Sequence, residues 1–176
     1  MRTYQRLRID GAKYFFTVNL AERQCNSLPI QYLGNLREAF RQTRQDHPFE
    51  IDAIVILPEH LHCIWQLPPG DDNYPSRWRL IKGRFSMALP HAERISPSRR
   101  RKGERGIWQR RYWEHVIRDE EDYQNHMDYI HYNPLKHGHV QAARDWPHSS
   151  FHRCVKCGLY DENSGASPEI AACSWE

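Results

Sequence analysis

Two histidines, one tyrosine and one asparagine are the residues whose types and spacing suggest chemistry. His60 and His62 lie two apart in HLHCIWQL at 60–67. On a strand, residues i and i+2 leave the same face, so both imidazoles point one way while Leu61 points into the core. Two adjacent imidazoles hold a divalent metal once a third ligand and open positions complete the site. In a chain with 11 histidines, such a pair is weak evidence alone. Tyr129 and Asn133, four apart in a segment of helical period, stack on one helix face, with His126 on the same flank. A tyrosine hydroxyl that attacks a phosphodiester forms a covalent phosphotyrosine, which splits strand cleavage and rejoining into two transesterifications. A phenol of ordinary pKa is ionised in only about one molecule in a thousand at pH 7, a handicap of roughly 4 kcal/mol. A divalent metal on the phosphate offsets that by stabilising the developing charge. The histidine pair suits that task, with an oxygen of Asn133 as third ligand. Taken singly, Tyr129 reads as a packing residue and Asn133, before Pro134, as a helix terminator; together the four are harder to dismiss.

The elements that must hold these residues follow from the pattern. Residues 13–20 (KYFFTVNL) are β-branched and aromatic and read as a first strand. A helix over 30–46 follows, with Leu33, Leu36, Ala39, Phe40 and Thr43 on one face, and then a strand over 49–57 buried on both faces. A tight turn at Pro58 and Glu59 leads into a third strand over 60–67, whose other face carries Leu61, Cys63, Trp65 and Leu67. Residues 76–89 read as a second helix with Ser76 as cap, residues 90–106 as a mobile basic loop, and residues 112–117 as a fourth strand. The third helix starts at Asp119 and should stop near Asn133, because Pro134 disfavours helical geometry before it. WPHSSFH at 146–152 packs back on the domain. Four strands crossed by two helices give an α+β fold of the ferredoxin-like, split βαβ type. Its four- to five-stranded antiparallel sheet carries helices on one face, and the tyrosine sits on a C-terminal helix. Residues 1–152 form the domain and 153–176 a tail.

The chain has 176 residues, enough for one domain with a real core, and 12% aromatics, which excludes general disorder. Its longest apolar run, 53–57, is far too short to span a bilayer, and the N-terminus lacks the apolar region of a secretory signal. Five cysteines, scattered and odd in number, argue against a disulfide framework, so the cytoplasm, at the nucleoid, is the expected location. Cys154 and Cys157 form a CxxC near His148, His152 and Cys173, but no second pair completes a zinc pattern.

Charge is unevenly spread. Residues 76–118 carry 13 Lys or Arg against three acids, so a net +3 conceals a segment of +10 on an otherwise acidic chain. Such a basic middle suits a polyanion. Arg77, Lys82 and Arg84 on the second helix, with Arg99, Arg100, Arg101, Lys102, Arg110 and Arg111 after it, are the candidate phosphate contacts. Trp78 and Trp108 are candidate stacking platforms, Trp108 the better one. Arg2, Arg6 and Arg8 add a basic N-terminal arm.

PEHLHCIW at 58–65, SRWRLIKGRF at 76–85, IWQRRYWEHVIRDEEDY at 107–123 and DYIHYNPLKHGHV at 128–140 resemble the REP-associated tyrosine transposases, relatives of the single-tyrosine HUH transposases. The resemblance runs from about residue 4 to residue 152. It implies that His60-Leu61-His62 is the HUH motif, Tyr129 the nucleophile and Asn133 the third metal ligand. It further implies Mg²⁺ or Mn²⁺ as cofactor and, as partner, single-stranded DNA folded into REP palindromic hairpins. Cleavage beside a short tetranucleotide would leave a 5′-phosphotyrosine and a free 3′-hydroxyl. A monomer is favoured over a dimer, with no membrane partner. Residues 90–106 are longer and more basic than the family's core pattern. The competing expectations are a non-catalytic hairpin-binding regulator and a metal-dependent hydrolase that uses water.

Overall fold

The computed structural model describes residues 6–93 and 95–163. Its elements are β1 (Lys13–Asn19), α1 (Leu28–Gln31), α2 (Leu33–Asp46), β2 (Glu50–Ile56), β3 (His60–Gln66), α3 (Tyr74–Met87), α4 (Pro97–Arg101), β4 (Trp113–Val116), α5 (Glu120–Lys136) and α6 (Phe151–Lys156). Four antiparallel strands lie in the order β2-β3-β1-β4. Each crossover therefore skips a strand: β1-α2-β2 straddles β3, and β3-α3-β4 straddles β1. This is the ferredoxin-like split βαβ arrangement. Among the described residues, no helix is long and apolar enough to cross a membrane.

Strand alternation sorts the core into two layers. Tyr14, Phe16, Val18, Leu61, Cys63 and Trp65 face α2 and α3, which bury Leu36, Phe40, Trp78 and Phe85 against them. Trp65 and Trp78 stack at 4.3 Å between ring centres. Phe15, Ala53, Val55 and Ile64 face the opposite way and receive Met127, Tyr129 and Ile130 of α5. The two crossover helices thus share one face of the sheet, as the pattern required, and the tyrosine helix covers the other.

Several boundaries differ from expectation for identifiable reasons. Helix α3 is capped by Asn73, whose side chain accepts from the Ser76 backbone N–H at 3.3 Å; Ser76 lies inside the first turn. The described residues of 90–106 are not a loose loop. They contain α4, and the Arg105 guanidinium gathers the carbonyls of Ser86, Leu89 and Pro90 with the Glu93 carboxylate. Helix α5 runs through Pro134 to Lys136. The proline forfeits one backbone bond near the helix end, where His137 N–H still donates to the Asn133 carbonyl at 3.0 Å, and burial of the ring offsets the loss. The division at residue 152 falls inside α6, whose Phe151 and Cys154 are buried, so the packed unit extends to Tyr160, which donates to Asp128. Residues 148–150 pair with the outer edge of β2 through Ile56 N–H to the His148 carbonyl at 2.9 Å and Ser150 N–H to the Ile54 carbonyl at 2.8 Å.

Arg77 is a structural staple, not a surface cation. It is 2% exposed, donates to the carbonyls of His47 and Pro48, and forms a two-pronged bond to Asp71 at 2.6 and 3.1 Å. Replacing it with Met strips those carbonyls and the Asp71 carboxylate of their partner, and urea denaturation should show a loss of about 3 kcal/mol with DNA affinity unchanged for the protein that remains folded.

Candidate active site

The end of β1 and the start of β3 bring Thr17 beside His62, their Cα partners in the antiparallel register. The two side chains bond at 2.8 Å between the Thr17 hydroxyl and Nδ1 of His62. With Nδ1–H donating to Thr17, Nε2 keeps its lone pair, and this nitrogen meets no partner among the described residues. Burial, reinforced by the neighbouring imidazoles of His60 and His137 and the charges of Lys136 and Arg23, holds the His62 pKa well below the ordinary imidazole value, so the ring is neutral and fit to ligate. His60 is fully buried, its ring centre 4.7 Å from that of His62. Its Nδ1 faces the Glu59 carboxylate at 3.2 Å, an orienting contact of the kind that ligating histidines commonly make, which turns Nε2 toward His62 as the nitrogen that could ligate. The hydrogen bond from His60 holds the Glu59 carboxyl down at about 2.

Helix α5 crosses this pair with one stripe. The Tyr129 ring lies 5.2 Å from the His62 ring, and the His137 ring 5.3 Å from that of His60. Asn133, midway between residues 129 and 137 at helical spacing, therefore lies along the pair. It is 1% exposed, and neither its amide oxygen nor its nitrogen has a partner among the described residues. An unpaired buried amide costs about 1–3 kcal/mol, a cost that a bound cation would remove from the oxygen. Two oriented imidazoles and an unsatisfied amide oxygen fit a divalent ion with open positions. The Lys136 ammonium lies 4.9 Å from the centre of the Tyr129 ring. If His62 is a ligand, Thr17→Val should weaken Mn²⁺ binding about 10-fold or more by isothermal titration, because the ring loses its orienting partner.

The sequence reading passed over Glu59 and Thr17 as orienting partners; the turn before His60 and the β1–β3 register were the signals. It also missed a second cluster. His115, Asp122 and His126 offer ligand atoms within 4.8 Å of one another. Asp122 accepts from His115 Nε2 at 2.8 Å and from Arg118 Nε at 3.0 Å, and the two imidazole rings stack at an interplanar angle of 17°. Burial raises the Asp122 pKa, but these donors outweigh it and hold the carboxyl far below its usual range. Parallel rings and a competing guanidinium suit a brace from β4 to α5 better than a metal. Asp119 accepts from Asp122 N–H at 2.8 Å and caps the helix, as expected of that acidic start.

The basic segment is largely engaged within the protein. Trp78 is 1% exposed and belongs to the core with Arg77, so neither is available to DNA, and Trp108 packs on Phe85 at 5.3 Å. Charge clustering along the chain had hidden their burial. Arg84 pairs with Asp46, Arg110 with Glu104 at 2.8 Å, Lys82 donates to the Gln109 carbonyl at 2.7 Å and Arg99 to that of Trp108 at 3.0 Å. Arg100, Arg101, Lys102 and Arg111 are exposed. Cys154 is buried and Cys157 exposed, while Cys173 and Arg2 lie outside the described residues.

Fold and site together define a class, a ferredoxin-like domain in which one helix lays a tyrosine and an asparagine over a histidine pair on a strand. The sequence is 49% identical over 160 residues to the REP-associated tyrosine transposase of Escherichia coli, covering 91% of this chain and 88% of that one. It is 46% identical over 97% of both chains to a Haemophilus influenzae protein provisionally given the same name. The solved structure of a REP-associated tyrosine transposase bound to a REP hairpin superposes with a TM-score of 0.81 at 46% identity, over 95% of this chain and 93% of that one. No family model matches the sequence. The chain belongs to the REP-associated tyrosine transposases.

Proposed function

We propose that the protein binds REP-type hairpins in single-stranded DNA and cuts and rejoins the strand beside them through Tyr129. The observation that carries the reading is the Tyr129 ring 5.2 Å from His62, on the stripe that also carries Asn133, with Nε2 of that histidine and the amide of Asn133 unpaired among the described residues. The relative solved with a REP hairpin supports the substrate. His60, His62 and Asn133 would hold Mg²⁺ or Mn²⁺, and a bound ion supplies charge neutralisation and orientation at the scissile phosphate.

The Tyr129 oxygen bonds to phosphorus as the bond from phosphorus to the 3′ oxygen breaks. The products are a 5′-phosphotyrosine and a free 3′-hydroxyl, with the phenol proton passed on balance to the departing oxygen. Rejoining reverses these steps, the attacking 3′-hydroxyl displacing Tyr129. Tyr129 is 2% exposed, so DNA reaches its hydroxyl only as the end of α5 shifts; Gly138, at φ +70°, supplies the backbone freedom there. Arg100, Arg101, Lys102 and Arg111 are the cations best placed to meet the hairpin backbone, with Arg84, Arg99 and Arg110 contributing on release of their internal partners.

A labelled REP-hairpin oligonucleotide tests this reading. Cleavage with Mg²⁺ or Mn²⁺, a protein-bound fragment that survives denaturation, and none of either in EDTA are expected. Cleavage without an adduct would instead mean a water-using hydrolase, and binding without cleavage in any metal would mean a regulator.

A further inference from the structure

The face of α5 that meets the sheet carries Asp122, His126, Tyr129 and Asn133, spaced by four, three and four residues. At helical spacing, Asp122 and Tyr129 differ by only about 20° around the axis. A bond that fixes Asp122 against the sheet therefore fixes the direction in which Tyr129 points. Asp122 is 5% exposed, and its carboxylate accepts from His115 Nε2 of β4 at 2.8 Å and from both the backbone N–H and Nε of Arg118 at 3.0 Å. One turn on, His126 Nδ1–H donates to the Asp122 carbonyl at 2.7 Å, and its ring stacks on that of His115 with centres 4.8 Å apart.

This corner reaches the candidate active site through Phe15. On β1, Phe15 is the register partner of His115, and its ring lies 4.6 Å from His126, 5.6 Å from His62 and 6.0 Å from Tyr129. Other contacts of α5 do not do the same work. Met127 and Ile130 bury apolar surface on the sheet, a non-directional attraction that sets the height of the helix and opposes its roll only weakly. His131, bonded to Ser150 at 2.9 Å, projects about 180° away from Asp122 and ties the back of the helix to residues 148–150. A roll of about 10° moves a side-chain tip roughly 6 Å from the axis by about 1 Å. A misplacement of about 1 Å can slow a reaction on the order of 100-fold.

We propose that Asp122, held by His115, is a positioning residue for the strand-cutting step: it fixes the roll of α5 so that the Tyr129 hydroxyl meets the scissile phosphate in line with the departing oxygen. The role rests on the reading of Tyr129 as the nucleophile. It requires neither Asp122 nor His115 to touch DNA, so their loss slows cutting and leaves hairpin binding in place.

The test has two readouts, one of which needs no cutting. In full-length protein labelled with 3-fluorotyrosine, the Tyr129 fluorine signal is assigned by its loss in Tyr129→Phe, and its chemical shift reports the place of the ring beside Phe15 and His62. Asp122→Asn and His115→Ala should each displace or broaden that signal. His115→Gln, whose amide nitrogen takes the place of Nε2, should keep it at the wild-type position, and so should Arg77→Met, which is destabilised through the opposite face of the sheet. At saturating REP hairpin with Mn²⁺, single-turnover cleavage should fall about 10- to 100-fold in Asp122→Asn and in His115→Ala with hairpin affinity unchanged, and the double variant should be no slower than the slower single one. An undisplaced signal in both variants, the same displacement in Arg77→Met, or failure of His115→Gln to retain the wild-type signal would overturn the proposal. Wild-type cleavage in both variants, or additive losses in the double variant, would do the same. If the wild-type protein cuts no hairpin in any metal, the reading of Tyr129 as nucleophile fails, and the fluorine signal still decides whether Asp122 sets the place of its ring.

Discussion

Tyr129→Phe should abolish the covalent protein–DNA adduct and reduce cleavage by on the order of 10⁴-fold or more, while hairpin affinity stays close to that of wild type. The ring of Tyr129 packs between Phe15 at 6.0 Å and His62 at 5.2 Å, so a phenylalanine retains the packing and removes only the hydroxyl proposed as nucleophile. Single-turnover cleavage of a hairpin oligonucleotide, run beside an equilibrium binding titration, separates the two effects. Retention of most of the cleavage would transfer the chemistry to water and remove Tyr129 from the reaction.

Asn133→Leu should make the protein more stable and less active. Its amide is buried with both polar atoms unpaired among the described residues, in the last turn of a helix packed on the sheet. A near-isosteric leucine removes a desolvation cost of about 1–3 kcal/mol, which for a domain of this size is a rise of several degrees in the Tm of the metal-free protein. The same change removes the proposed oxygen ligand, so metal-dependent cleavage should fall more than about 100-fold and the Tm gained on adding Mn²⁺ should shrink. A scan with and without Mn²⁺ reads both. Activity that survives with a raised Tm would show that Asn133 is no ligand and that its buried amide serves something else.

The juxtaposition of the four candidate residues was legible because it depends on two periodicities. The period of two placed His60 and His62 on one face of β3 with Leu61 turned to the core, and the period of 3.6 stacked Tyr129 on Asn133. The strand order followed from the alternation of strands and crossover helices. The reach of α5 was not legible, because the rule that proline ends a helix yields to burial of Pro134 and the last helical turn. Partners distant in sequence were out of reach as well. Nothing local to Arg77 signals that Asp71 and the carbonyls of His47 and Pro48 enclose it, or that Arg84 reaches across to Asp46 on α2. A charge run in the sequence counts cations, whereas DNA meets only those without an internal carboxylate or carbonyl to hold them. The same limit hid Thr17 and Glu59, which become neighbours of the histidine pair through strand register and turn geometry.

The central claim, that the Tyr129 oxygen becomes joined to the 5′-phosphate of the cut strand, is tested most directly by mass spectrometry. Wild-type protein is incubated with a REP-hairpin oligonucleotide and Mn²⁺, denatured, digested with nuclease and protease, and searched for a peptide carrying a nucleotide remnant. The account predicts that remnant on Tyr129 and on no other residue, together with a free 3′-hydroxyl on the released fragment. Cut DNA with no modified peptide, or a remnant on a different side chain, would contradict it.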